Sequence, residues 1–292
     1  MKIRNYKNIL KAAIKPWKSS KYISRIMPDL VGQDQSIVLA TCQASGITSF
    51  EIRYLEKYTI LVDSSAGIIA KDIIKMGNFS LELCKLSSDK ICRKNNIQDI
   101  IFVNIGANMG TTCLNVRHCG FKNFIAFEPV ENNYRLLKYN LEFNIEKENF
   151  KIQKIALGRE SGEAEIHLHN NNCGRHSLKR EFNRLENISS TQVVKVQTLD
   201  AQNIKDECFI WLDTEGFELE VLEGASETLK NSIGLCIEIS PSVYTASDLE
   251  RLEEILTTNF RKFYNNNGEE MPKPSSSEHW AKRLQHDLIC IK

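Results

Sequence analysis

Four short apolar runs recur along the chain: Ile100–Val103, Phe124–Phe127, Phe209–Leu212, and Leu235–Ile239, the last broken only by Glu238. Runs this short, with β-branched and aromatic residues, read as strands covered on both faces. The segments between them change period. After Pro129, the positions Tyr134, Leu137 and Leu141 share one helical face, and after Thr214-Glu215-Gly216, where a helix is expected to start, so do Leu219, Leu222 and Leu229. Alternating strand and helix patterns predict a parallel sheet with helices on both faces. Weaker signals add strands at Phe150–Ala156, Ala164–Leu168, Val193–Val196, Arg261–Tyr264 and His286–Ile291.

Upstream, residues 29–46 have weak periodicity and read as a connecting region. From Ser49 to Cys92 there is strand-like EIRYLEKYTILVDSS, then GIIAKDIIKMG at helical spacing closed by Gly77, then a second helix from Ser80 to Cys92. This stretch is expected to pack on the following domain and to cover its cleft. Residues 1–28 carry eight basic side chains and no acid, with Ile3, Tyr6, Leu10, Ala13 and Trp17 at helical spacing. Two readings stand for them: peripheral contact with an anionic membrane, or an amphipathic helix docked on this chain or a partner. Pro16 interrupts either helix.

The chemistry concentrates in Asp99–Pro129. Gly106 and Gly110 bracket Ala107-Asn108-Met109, which lets the chain turn at a strand's carboxyl end and open the next helix toward the cleft where ligands of such sheets bind. Glu128 closes the second run, 22 residues after Gly106, where an acid can accept both hydroxyls of a ribose. A pyrophosphate-binding turn wants G-x-G-x-x-G, and Asn108 stands where its second glycine would be. The expected cofactor is therefore S-adenosylmethionine, which has no phosphate and whose amino-acid end a Gly-Ala-Asn turn can hold.

VNIGANMG, then AFEP, then TLD at Thr198–Asp200, then WLDTEGFELEVLEGA from Trp211 to Ala225 together resemble the FkbM family of S-adenosylmethionine-dependent methyltransferases. The resemblance runs from about Ile60 to the C-terminus. It implies an α/β, Rossmann-like class I methyltransferase fold, a mostly parallel seven-stranded sheet with an antiparallel last strand, over 96–292. An N-terminal accessory region would fill 1–95. It also implies O-methylation, of a hydroxyl on a sugar or glycosylated substrate, with Asn104, Gly106, Ala107, Asn108, Gly110, Glu128 and Pro129 around the cofactor. Family members usually carry Asp at the position of Asn104, where the side chain helps organise the methionine end.

Adjacent strands ending at Asp213 and Glu238, with Glu215 just beyond the first, would bring three carboxylates together beside the transferred methyl group. Methyl transfer is an in-line displacement that needs positioning and a proton acceptor. Asp213 is the first candidate for that acceptor and His176 the second. His176 lies in a long polar segment between two strands, a length that marks substrate contact, and there Ser177 and Leu178 match a Ser-Leu pair common in the family. Glu215, Glu238, Ser177 and Trp280 are candidate substrate contacts, with His279 beside the last. Asp213, Glu215 and Glu238 could alternatively hold magnesium, whose hard charge suits oxygen ligands.

Composition narrows the alternatives. A net charge of +1 over 292 residues gives no general bias toward polyanions, which counts against a nucleic-acid methyltransferase. The other competitor is a non-catalytic binding module whose cofactor site has decayed at Asn104. Nine cysteines without a C-x-x-C pair suggest neither zinc nor a disulfide framework and fit a reducing cytoplasm, at the inner membrane face if residues 1–28 bind lipid. No run is long and apolar enough to span a membrane, and the N-terminus lacks the apolar run of a signal peptide.

Overall fold

A computed structural model of the chain describes residues 31–44, 46–92, 96–170, 172–182, 187–274 and 285–292. The expectations for residues 1–28 and for His279 and Trp280 lie outside these residues.

The apolar runs are strands of one sheet. β3 (Ile101–Ile105), β4 (Asn123–Phe127), β5 (Phe150–Gln153), β9 (Cys208–Leu212), β10 (Ser232–Ile239), β11 (Lys262–Asn265), β12 (Glu270–Met271) and β13 (His286–Ile291) are arranged in the order β12-β11-β13-β10-β9-β3-β4-β5. From β10 to β5 the neighbours are parallel, whereas β13 runs antiparallel to both β10 and β11. The eighth strand is the two-residue β12, a hairpin partner added at the edge beyond the seven expected.

Successive strand residues feed opposite cores, as the two-residue period of a strand requires. Phe102, Phe209 and Trp211 pack beneath α4 (Thr111–His118) and α5 (Glu131–Asn144), where Phe102 and Phe121 meet edge-on at 5.3 Å. On the other face Val103, Ile105, Ile210, Leu212 and Ile237 meet α6 (Glu218–Glu223), α7 (Ser226–Asn231) and α8 (Ala246–Asn259). The expected helix after Asp213 starts at Glu218, because Glu215 (φ 56°) and Gly216 (φ 98°) are both left-handed and form a turn.

Three other expectations are corrected. The expected strand at Phe150–Ala156 stops at Gln153, and Ala156–Leu157 forms a separate strand, β6. β6 pairs with β8 (Ile188–Gln197), and β8 with β7 (Gly162–His169), in a small three-stranded sheet. β7 and β8 are longer than their apolar positions suggested, since solvated residues on one face carry no hydrophobic signal. Lastly, residues 29–46 hold a helix, α1 (Gln35–Ala44), anchored by Val38, Leu39 and Cys42.

The rest of the lead-in is the hairpin of β1 (Ser49–Tyr54) and β2 (Tyr58–Asp63), followed by α2 (Ile68–Met76), capped by left-handed Gly77, and α3 (Leu81–Cys92). Two asparagines one turn apart on α5 dock this hairpin. Asn144 bonds both backbone groups of Thr59, and Asn140 bonds both of Leu61, at 2.7–3.1 Å. Asn140 Nδ2 also donates to Met109 O at 2.8 Å, tying the hairpin to the glycine turn. Asn140→Ala would leave three backbone groups without these partners, and a loss of at least about 2 kcal/mol is expected by chemical denaturation.

Candidate active site

A cavity of about 620 Å³ opens over the carboxyl ends of β3, β4, β9 and β10. It sits where the chain order reverses between β3 and β9, the place where separating connections leave a crevice in a doubly wound sheet.

One half is built by the glycine turn. The Gly106 and Ala107 N–H groups both donate to Phe127 O, at 3.1 and 2.9 Å, and Asp213 N–H donates to Ile105 O at 3.0 Å. Gly106 has φ 80°, and a Cβ there would lie 1.7 Å from Asp213 O. Asn108 follows at φ 49°, a conformation asparagine tolerates better than most residues. Gly106, Ala107, Asn108, Glu128 and Pro129 all line the cavity. Glu128 is 4% exposed; its Oε2 accepts from Asn108 N–H at 2.8 Å and its Oε1 from Val130 N–H at 2.9 Å, leaving further lone pairs for a ligand. Burial pushes its carboxyl up to about 7, against the pull of those donors.

Two residues expected here sit off the wall. Asn104 points under α4, with Nδ2 3.4 Å from Cys113 Sγ and Oδ1 buried without a partner. A carboxylate in that apolar setting would carry a desolvation cost that an amide avoids. Gly110 (φ 87°) serves packing, since a Cβ there would come within 2.9 Å of Leu137 Cδ1.

The other half is acidic. Asp213, Glu215 and Glu238 each place one carboxylate oxygen within 4.8 Å of the others, a spacing a hard divalent cation accepts. Asp213 Oδ1 is buried without a hydrogen-bond partner. Desolvation, then the charges of Glu238 and Glu215, hold Asp213 well above the usual carboxylate range. Glu215 is pushed up to about 9 by burial, then by Glu238.

The turn carrying these acids is held from below. Buried Glu218 accepts on Oε1 from Thr214 N–H and Oγ1–H at 2.9 Å and from Gly216 N–H at 3.1 Å, while Tyr244 Oη donates to its Oε2 at 2.5 Å. That clamp retains Glu215 at a φ costing on the order of 1 kcal/mol or more.

His176 reaches the wall in a form unsuited to take a proton. Its Nδ1 accepts from His169 N–H at 3.0 Å, so the neutral ring carries its hydrogen on Nε2 and presents a donor. Burial, then His169, lowers it to about 4. Ser177 is absent from the lining: fully buried, it donates to Glu215 O at 2.7 Å and accepts from Lys179 N–H at 3.0 Å, joining its loop to the acidic turn.

Several wall residues gave no signal in the sequence. Asp287 faces Glu238 directly in the antiparallel register, and burial pushes it up to about 7. A carboxylate inside a terminal strand was the only clue, and it needed that register to be read. Arg175 lies close enough to Glu215 to oppose the rise in its pKa. Ile68, Ile69, Phe79 and Leu83 bring the lead-in, expected to cover the cleft, to the same wall.

Raised carboxyls make the apoprotein pH-sensitive. A group protonated more readily when folded adds stability below its unfolded pKa and loses it as pH rises through the folded value. For Glu128, Asp287 and Glu215 that window runs from about pH 4 to about 9. Glu215→Gln is therefore expected to leave thermal stability unchanged at pH 5 and to raise the midpoint by at least about 3 °C at pH 9.

A parallel sheet with this reversal, a glycine turn at the switch point, and an antiparallel strand inserted beside the last parallel one is the architecture of Rossmann-like class I methyltransferases. The Methyltransferase FkbM domain matches residues 104–266, and the chain belongs to that family of S-adenosylmethionine-dependent methyltransferases. No curated protein matches the chain significantly. Similar solved structures include magnesium protoporphyrin IX methyltransferase from Synechocystis with bound S-adenosylmethionine, at 11% identity over 89% of this chain and 97% of that one, TM-score 0.41. Others are a ribosomal protein L11 methylase from Lactobacillus delbrueckii, at 11% over 72% and 76%, TM-score 0.38, and human methyltransferase 10 domain containing protein, at 16% over 70% and 76%, TM-score 0.37. The assignment rests on the family match and on the strand order.

Among the described residues no helix is long and apolar enough to cross a membrane.

Proposed function

We propose that the protein is an O-methyltransferase that methylates a hydroxyl of a sugar or glycosylated acceptor. The observation that carries the O-methylation is the group Asp213, Glu215 and Glu238 beside the glycine turn. The sugar comes from the family resemblance.

The residues present fit the cofactor. Gly106 keeps a cradle that any side chain would fill, Glu128 has lone pairs for ribose hydroxyls, and Ile155, Ala156, Leu157 and Ile166 give an apolar slot for adenine. S-adenosylmethionine, when bound, supplies an electrophilic methyl group. The chain supplies position and proton handling. An acceptor hydroxyl set against Asp213 loses its proton to that carboxylate as its oxygen attacks, and the raised affinity of Asp213 for protons makes its ionised form a stronger base. His176 Nε2–H and Arg175 donate to neighbouring acceptor oxygens.

Two experiments test this reading. Calorimetric titration of S-adenosylhomocysteine is expected to show binding that weakens about tenfold or more in Glu128→Ala, as two hydrogen bonds to a charged group are lost. Failure of the unmutated protein to bind would overturn the cofactor assignment and favour a non-catalytic module. Incubation with S-adenosylmethionine and glycan acceptors, read by mass spectrometry, should then show added methyl groups that alkali does not remove, as expected for ethers rather than esters.

The three carboxylates also fit magnesium, which would acidify an acceptor hydroxyl. Our reading assigns that task to Asp213, so chelation with EDTA is expected to leave turnover unchanged. A tenfold or greater loss restored by magnesium would transfer the role to the metal.

A further inference from the structure

Cys173, at the tip of the segment between β7 and β8, is held by two asparagines from the cofactor half. Its carbonyl accepts from Asn133 Nδ2 at 2.9 Å and Asn108 Nδ2 at 3.4 Å, and its Sγ lies 3.8 Å from Asn108 Oδ1. Both asparagines also stand at Glu128: Asn108 donates its backbone N–H to the carboxylate at 2.8 Å, and the Asn133 side chain is close enough to lower its pKa. Asn133 is 2% exposed and lines the cavity, yet its Oδ1 has no hydrogen-bond partner. Two and three residues beyond Cys173, Arg175 and His176 line the cavity, Arg175 close enough to Glu215 to act on its carboxyl. The far end of the loop is fixed separately, by Ser177 pairing with His167 and donating to Glu215 O.

We propose that Asn133, with Asn108, reads cofactor occupancy and passes it through Cys173 to Arg175 and His176, so that the acceptor site is completed on the cofactor-bound enzyme. This rests on the reading that Glu128 meets the cofactor ribose. A buried amide oxygen without a partner carries a desolvation cost, which a ribose hydroxyl donating to it would remove. The same amide's nitrogen holds Cys173, so fixing one end of the side chain fixes the other. Coupling of this kind is reciprocal, and a factor of about 5 to 150 is usual.

Hydrogen exchange of backbone amides 172–178, with and without saturating S-adenosylhomocysteine, tests the link without a known acceptor. In the unmutated protein the ligand is expected to slow exchange there by about 5-fold or more. Asn133→Ala should still bind the ligand, more weakly by a comparable factor, and should lose the protection. Asn108→Gly, which keeps the left-handed backbone and its N–H to Glu128, carries the same expectation with less risk to folding. Binding without slowed exchange in the unmutated protein, or the same protection in both variants, overturns the proposal. No binding to the unmutated protein removes the ribose reading beneath it, a result distinct from binding without protection.

Discussion

Gly106→Ala is expected to abolish S-adenosylhomocysteine binding, with a loss of at least about 100-fold by calorimetry. The added Cβ would meet Asp213 O at 1.7 Å, and the collision involves backbone on both sides. Neither partner can swing away cheaply, because Asp213 N–H is bonded to Ile105 O and the Gly106 and Ala107 N–H groups to Phe127 O. The φ of 80° adds strain of about 1 kcal/mol or more for a residue with a Cβ. Relief requires parting β3 from β9 at their tips, which opens the floor of the cavity. Gly162→Ala, with nothing within 4 Å of the added carbon, is the matched control and should change nothing. Retention of affinity within threefold in Gly106→Ala would mean that the ligand does not sit on this turn.

Asp213→Asn is expected to lower kcat by about 10²- to 10⁴-fold, the usual contribution of a positioned general base, with S-adenosylhomocysteine affinity within about threefold. The amide keeps the size and removes the proton acceptor. Thermal stability at pH 8 should rise, since a buried carboxyl held well above its ordinary range is costly to ionise in the folded chain. Stability up and turnover down separates a base from a structural residue, for which both would fall. A variant with unchanged kcat would move the proton to Glu238 or Asp287, and each can be tested by the same amide substitution.

Local patterns carried the glycine-turn half of the cavity. Gly106, Asn108 and Glu128 lie within one strand, turn, helix and strand, so their placement follows from chain connectivity. The apolar runs marked β3, β4, β9 and β10 for the same reason: strands buried on both faces cannot carry polar residues freely, and the pattern records it. The acidic turn was legible as well, because Asp213 follows one such run and Glu238 breaks another near its tip.

Errors arose where a residue's neighbours come from remote sequence. His176 read as a base until the fold placed His169 N–H on its Nδ1. Ser177 read as a substrate contact until the Glu215 carbonyl took its hydroxyl. Helix α1 was missed because only three of its ten residues are buried, leaving a faint apolar stripe.

The sequence by itself determined the sheet, the switch-point turn, the family and the identity of the principal acids, since each depends on contacts a few residues apart or on motifs read in order. Only the tertiary structure decided which half of the cavity each residue serves. It set Asp287 against Glu238 through strand register, brought Ile69 and Phe79 to the wall, and placed Cys173 between Asn108 and Asn133. Hydrogen bonds and buried charges act over a few ångströms in space, and the separation of those partners along the chain leaves no periodic trace.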